Sequence, residues 1–271
     1  MEFTVNAVKV TSLNSDDAKG PLMDAAIQLW SVRLATEAVG WTATLERLAG
    51  LGFRRVEPYG VHLTAPTLAP ELARLRLVSP TSHGFLEADC LPATLEAAAA
   101  LSVAHIVHPH LDVEFWADEA ALDRTAAMLI AAADAARIRG MSVGFHNHEY
   151  ELQHTVDGQP ALFALMDRLP PDITVEFDVY WSAIAGMQPT DALARLSGRV
   201  RAIHVKDGPF GATAADQVAL GDGDLLLDGI LAAVPDDTLV VLSLDRMPGS
   251  EADIWTAIER SRAWLDERGI G

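Results

Sequence analysis

Short apolar runs with strand-like composition alternate eight times along this chain with longer runs whose apolar residues recur at helical spacing. The strand-like runs cover residues 25–30, 54–57, 77–83, 105–108, 142–146, 173–178, 201–204 and 238–243. Helical periodicity predicts helices near 42–51, 69–75, 91–101, 119–139, 160–169, 190–196, 225–233 and 251–267. Strands separated by helix-sized intervals favour a parallel α/β architecture, and eight such units predict a (β/α)8 TIM barrel. Pro160 suits a first helical turn, where no N–H is needed, and Gly140 suits the left-handed residue that stops a helix. Residues 1–24 show no strong period and are expected to form an arm or short strand ahead of a single barrel domain spanning 25–271. Segments 207–224 and 247–250, rich in Gly, Pro and Asp, are expected to be loops over the catalytic end.

In such a barrel, function sits where strands end and helices begin. The predicted ends deliver Gln28 and Trp30, then Glu57, His83, His108 and His110, then His146 and His148, Asp178 and Trp181, His204 and Lys206, and finally Ser243 and Asp245. Seven of the nine histidines fall at or beside predicted strand termini, six of them at the C-terminal ends and His105 at a start, a clustering that a scattered surface distribution would not give. Asp178 closes a buried run, where a carboxylate is costly unless a cation or several donors satisfy it. His204 closes the next run, and neutral imidazole is a common metal ligand. His146 and His148 are two apart and share a strand face, so at most one is expected to reach a metal, leaving the other for substrate. Lys206, two beyond His204, can aim at the same cavity and hold an oxyanion, although a solvated loop lysine is an equal reading. Glu57 closes an apolar run and points toward the barrel mouth; His105 opens a strand and reads as structural.

Composition narrows the partners. A 271-residue chain that is 50% hydrophobic can bury the core of one large domain. A formal charge of −18 disfavours nucleic acid and anionic membrane surfaces alike. Cys90 is the only cysteine, so no intramolecular disulfide forms. No signal-peptide pattern opens the chain, and no run of about twenty apolar residues free of charge occurs, so a cytoplasmic location is expected.

Six motifs carry a resemblance. Ile27-Gln-Leu-Trp-Ser-Val-Arg33, Gly52-Phe-Arg-Arg-Val-Glu-Pro58, Gly144-Phe-His-Asn-His-Glu-Tyr-Glu151, Phe177-Asp-Val-Tyr-Trp181, Gly198-Arg199 and His204-Val-Lys-Asp-Gly208 resemble the sugar phosphate isomerase/epimerase group of xylose isomerase-like TIM barrels, from about Ala25 to the C-terminus. The resemblance implies a divalent metal, Mn²⁺ or Mg²⁺, held by Glu, Asp, His and Glu at the ends of strands five to eight. Asp178 and His204 match the middle two. The first glutamate position falls on His146 and the second on Ser243, so both glutamates, which in the epimerases are also the opposed bases, are replaced. His146 can still ligate a metal and accept a proton; Ser243 does neither well, and Asp245 is expected to reach back as the fourth ligand.

The leading expectation is a metal-dependent isomerase or epimerase acting on a sugar or keto-sugar through an enediolate. His146, Asp178, His204 and Asp245 would bind the metal, and Glu57, His146, His148 and Lys206 would carry the chemistry. Gln28, Trp30, His83, His108, Glu151 and Trp181 would hold the sugar or polyol substrate. Two alternatives stand beside it: a lyase or dehydratase, which needs one base only, and an inactive barrel that binds sugars or partners an active subunit. The acidic balance disfavours the DNA-repair branch. Substrate identity is left open, as is assembly into a homo-oligomer.

Overall fold

The computed structural model describes residues 23–209, 217–245 and 251–271. All eight predicted strands form within them: β1 (Ala25–Gln28), β2 (Val56–Glu57), β3 (Thr81–His83), β4 (His105–His108), β5 (Ser142–His146), β6 (Thr174–Asp178), β7 (Val200–Val205) and β8 (Leu239–Leu242). They are parallel and hydrogen-bonded in the order β2-β1-β8-β7-β6-β5-β4-β3. A parallel bridge between Arg55 and Val78, with the Val56 amide donating to the Val78 carbonyl at 2.9 Å, joins β2 to β3 and brings the ends of the sheet together. The result is a nearly closed TIM barrel.

Alternation along each strand sorts side chains between the barrel interior and the helical layer. Ile27, Phe145, Val175, Phe177, Ile203 and Val240 join the large core under the helices. Ala26, Ala202, Leu239 and Val241 form a separate small cluster inside the ring. Above that plug the same inward parity presents Gln28, Glu57, His83, His146, Glu176, Asp178, His204 and Lys206, all buried. The register pairs His146 with Glu176 and Asp178 with His204, so polar residues of neighbouring strands sit in common layers.

Differences from the expected elements have local causes. The first helix, Arg33–Gly50, starts well before residue 42 and bends at Gly40, whose φ of 82° interrupts the periodicity. Helix Val61–Leu75 starts eight residues before the predicted 69–75, because Pro66 reads as a break in its first half; burial of Val61, Ala65, Leu68 and Leu72 on one face holds it despite the N–H groups missing at Pro66 and Pro70. Trp30, expected in a strand, lies in the short 3-10 turn Leu29–Val32, because Gln28 ends β1 and its side chain caps the Trp30 amide at 3.2 Å.

Residues 1–22 of the expected arm lie outside the described residues, as do 210–216 and 246–250 of the expected loops. Met23 bridges Ile270, and the Ala25 amide donates to the Gly271 carbonyl, which docks the C-terminus beside β1. In the described part of the loop after β7, Asp207 accepts hydrogen bonds from the amides of Gly208, Gly221, Gly223 and Leu225 at 2.9–3.2 Å, knotting the segment. Among the described residues no helix is long and apolar enough to cross a membrane.

Candidate active site

Two charged systems share the interior of the catalytic end. The first is a cluster of imidazoles around two carboxylates. His83 Nε2 lies 2.6 Å from Glu176 Oε2 and 3.4 Å from Glu57 Oε1. His204 Nε2 sits 2.8 Å from Glu57 Oε1 and 3.0 Å from Glu176 Oε2. His146 Nδ1 is 3.1 Å from Glu176 Oε2, off the hydrogen-bond direction. The rings of His83 and His204 stack at 5.4 Å, and those of His146 and His204 lie 4.4 Å apart. Glu57 is fixed from behind, accepting from Gln28 Nε2 at 2.6 Å and from the Thr81 hydroxyl.

Burial and these charges set the protonation pattern. Burial would lower the His204 pKa, but Glu176 and Glu57 reverse that and push it up to about 10. Burial, joined by the charge of Glu176, raises Glu57 above the usual carboxylate range. Burial also works against a charged Glu176, yet His204, His83 and His146 hold it well below that range. His146 is driven well below 6.5 by burial and by His204, so it is a neutral donor.

The second system is an ion triad. Lys206 Nζ contacts Asp178 Oδ2 and lies 2.6 Å from Asp245 Oδ2. Asp245 Oδ2 also accepts from Trp181 Nε1 at 3.0 Å. Asp178 Oδ1 caps helix Val179–Ile184, accepting from the Tyr180 and Trp181 amides at 3.0 and 2.9 Å. Burial opposes charge on Lys206, but the two aspartates outweigh it and keep the ammonium protonated above its usual 10.5. A lysine held this way is an electrostatic clamp, unsuited to accept a proton.

His83, His146, Glu176 and His204 each offer one donor atom, and these atoms lie within 4.8 Å of one another. Three imidazole nitrogens and a carboxylate oxygen suit a first-row divalent cation. Glu176 Oε1 and His204 Nδ1 are buried without a hydrogen-bond partner, which marks the cluster as rich in donor atoms that protein contacts do not use up.

The sequence pattern of the xylose isomerase-like TIM barrel family matches residues 43–267. The chain belongs to that family. Solved structures of the same architecture include a sugar phosphate isomerase/epimerase from Parabacteroides distasonis, 18% identical, covering 95% of this chain and 98% of its own, with a TM-score of 0.73. The IOLI protein with a binding zinc atom is 14% identical, with coverage of 91% and 98% and a TM-score of 0.71. The probable 3-DHS dehydratase AsbF from Bacillus anthracis, involved in petrobactin synthesis, is also 14% identical, with coverage of 90% and 99% and a TM-score of 0.69. At these identities the likeness is one of fold. No curated protein matches the sequence.

Within this xylose isomerase-like barrel the expected site residues separate. Glu57, His83, His146 and His204 meet in the first system, with Gln28 behind Glu57. Asp178 and Asp245, expected as metal ligands, both contact Lys206, since a buried ammonium attracts the nearest carboxylates; Asp178 Oδ2 lies 3.8 Å from His146 Nε2. Lys206, expected in the chemistry, is thereby occupied as a charge partner. His108 has the opposite strand parity to His105, and its ring lies against Phe85 and Phe145 in the layer outside the barrel, away from the barrel interior. Trp30 is 43% exposed and packs edge-on to Tyr59 at the rim. His148 stands beside His146 with ring centroids 5.0 Å apart, and Glu151 accepts from the His148 amide at 2.9 Å. Trp181 lies against His148 and donates to Asp245. Ser243 is buried and its hydroxyl is without a hydrogen-bond partner. Glu176 is the donor that the sequence reading missed; its signal was present, since it lies two residues before Asp178 on the same strand face.

Proposed function

We propose that the chain is a divalent-metal-dependent isomerase acting on a sugar or keto-sugar, with Glu57 as the base that moves a proton between adjacent carbons. The observation that carries this reading is the convergence of His83, His146, Glu176 and His204 with a further carboxylate, Glu57, directly beside them. The imidazole-rich donor set suits Mn²⁺ or Zn²⁺ better than Mg²⁺, which prefers oxygen ligands. When bound there, such a cation supplies Lewis-acid polarisation of a substrate oxygen. Gln28 and Thr81 hold the Glu57 carboxylate in place, and that carboxylate would receive the carbon-bound proton and return it to the neighbouring carbon. The Lys206 triad is a fixed charge clamp that does not take the proton.

The serine at position 243 favours a second reading as well. Without an acid there, no second base opposes Glu57 from β8, and a one-base dehydration is chemically as accessible as isomerisation. The test is incubation of the Mn²⁺-loaded protein with candidate keto-sugars in deuterated water. An isomerase incorporates deuterium with no change of formula, whereas a dehydratase releases water. Glu57→Gln should lower turnover by about 10²–10⁴-fold while keeping the metal; full activity in that variant would refute the assignment.

A further inference from the structure

We infer that the barrel mouth carries a second, outer cation site built from His110, His148 and Glu151. One donor atom from each of these residues lies within 4.8 Å of the other two, a grouping separate from the four-donor cluster below it. Two of the three come from a single turn. His148 follows β5, and its backbone amide donates to Glu151 Oε2 at 2.9 Å, which holds the histidine and the glutamate on the same side of that turn. Glu151 is buried, so its carboxylate is held by the fold rather than displayed to solvent. His148 Nδ1 is also buried and has no hydrogen-bond partner. A buried imidazole nitrogen left without a donor or acceptor is costly, and a coordinated cation would satisfy it.

The third donor arrives from the loop after β4. The His110 ring meets the His148 ring edge-on, at 5.4 Å between centroids. Its side chain is 58% exposed, so this flank of the site faces solvent. Two imidazoles and one carboxylate with an open side make the ligand set of a zinc-type centre that keeps a position for water or a substrate oxygen. The harder cations Mg²⁺ and Ca²⁺, which favour all-oxygen shells, fit it poorly. Because the His146 and His148 rings are neighbours, the outer cation would stand next to the inner one. The outer site draws on its own three residues and does not depend on the isomerase reading.

The experiment is metal counting on the full chain. Protein stripped with a chelator is dialysed against Zn²⁺, and in parallel against Co²⁺, and the bound metal is measured by elemental analysis and by visible absorption. The wild type is expected to take up two equivalents, the second more weakly. His110→Ala, at an exposed position that folding does not need, should reduce the count to one, and Glu151→Gln should do the same with an unchanged circular dichroism spectrum. His83→Ala should remove the other equivalent. A wild type that binds one equivalent still present in His110→Ala would overturn the outer site and leave the inner cluster standing. One equivalent lost in His110→Ala but kept in His83→Ala would support the outer site and overturn the inner. Two equivalents retained in His110→Ala, or none in the wild type, would overturn the inference.

Discussion

Replacing Lys206 by Met tests whether this lysine is a charge clamp or a free functional group. The side chain is fully buried between two carboxylates, with Nζ 2.6 Å from Asp245 Oδ2 and in contact with Asp178 Oδ2. At an effective dielectric of about 20, a pair at that separation attracts by roughly 6 kcal/mol. Desolvation of the ammonium, several kcal/mol, offsets much of this in the wild type. The variant gains little from avoiding that desolvation, because it leaves Asp178 and Asp245 facing each other. Asp178 keeps only the two capping amides on Oδ1, and Asp245 only Trp181 Nε1. Breaking a buried pair from one side costs about 3–5 kcal/mol, which is the loss expected in urea denaturation followed by circular dichroism at pH 7.5. Adding Asp178→Asn to the Met variant should recover about 1 kcal/mol or more, since it removes one of the two stranded charges. The folded pKa of Lys206 is raised above its unfolded value, so this stabilisation is complete below about pH 10.5 and is lost only as pH rises through the folded pKa. A Lys206→Met protein within about 1 kcal/mol of wild type, with an unchanged m-value, would refute the clamp and return Lys206 to the candidates for proton transfer.

Two further predictions concern the lower end of the barrel. His105 is buried, with Nδ1 2.8 Å from the Ser142 hydroxyl and Nε2 3.2 Å from the Thr174 hydroxyl, and burial with the charge of Arg201 lowers its pKa to about 3. Its folded pKa is depressed, so its contribution is intact above the unfolded value near 6.5 and is lost as pH falls toward 3; at pH 5 the loss is about 2 kcal/mol. His105→Gln should shrink the stability difference between pH 7.5 and pH 5 by about that amount, and an unchanged difference in urea melts at the two pH values counts against the argument. Gly144 faces the same ring: a Cβ there would lie 2.8 Å from His105 Nε2 and 3.0 Å from the Thr174 carbonyl. Gly144→Ala should therefore cost about 1–3 kcal/mol of overpacking, and a melting temperature equal to wild type would show that β5 and β6 can separate freely.

The sequence was most informative where its period was longest and most regular. The C-terminal ends of β2 to β6 fall at the residues that close the predicted strand-like runs, Glu57, His83, His108, His146 and Asp178. The same regularity was enough for the eightfold β/α order. Position at a strand end does not say which face a residue takes, and that is why His108 was read as facing the substrate although its parity turns it outward. Parity would also have identified Glu176, two residues before Asp178. No local pattern could have shown that Lys206 would draw Asp178 and Asp245 to itself, because that pairing joins β6 to residues beyond β7 and β8. The first half of helix Val61–Leu75, ahead of the predicted 69–75, escapes local pattern for a related reason: burial of its inner face is a tertiary effect, and it outweighs the prolines that local propensity reads as breaks.

On the proposed metal-dependent reading, the competition between the two charged systems decides where the cation would bind. Asp178 and His204 are directly paired across β6 and β7, so a cation between them would match the arrangement the resemblance implies. Recruiting Asp178 would take Oδ2 from Lys206, leaving a buried ammonium with Asp245 alone. Recruiting Glu176 disturbs less, because its Oε1 has no partner and its Oε2 faces three imidazoles that are themselves ligands. The inner cation should therefore depend on Glu176 and be indifferent to Asp178. In wild-type background, Glu176→Gln should weaken Mn²⁺ or Zn²⁺ binding at the inner cluster by at least about tenfold, or 1.4 kcal/mol. Asp178→Asn, in which Lys206 retains Asp245, should bind within about threefold of wild type. Isothermal titration of the metal into both variants separates the alternatives. Loss of binding in Asp178→Asn with retention in Glu176→Gln would place the cation on Asp178 and require Lys206 to yield it when metal enters.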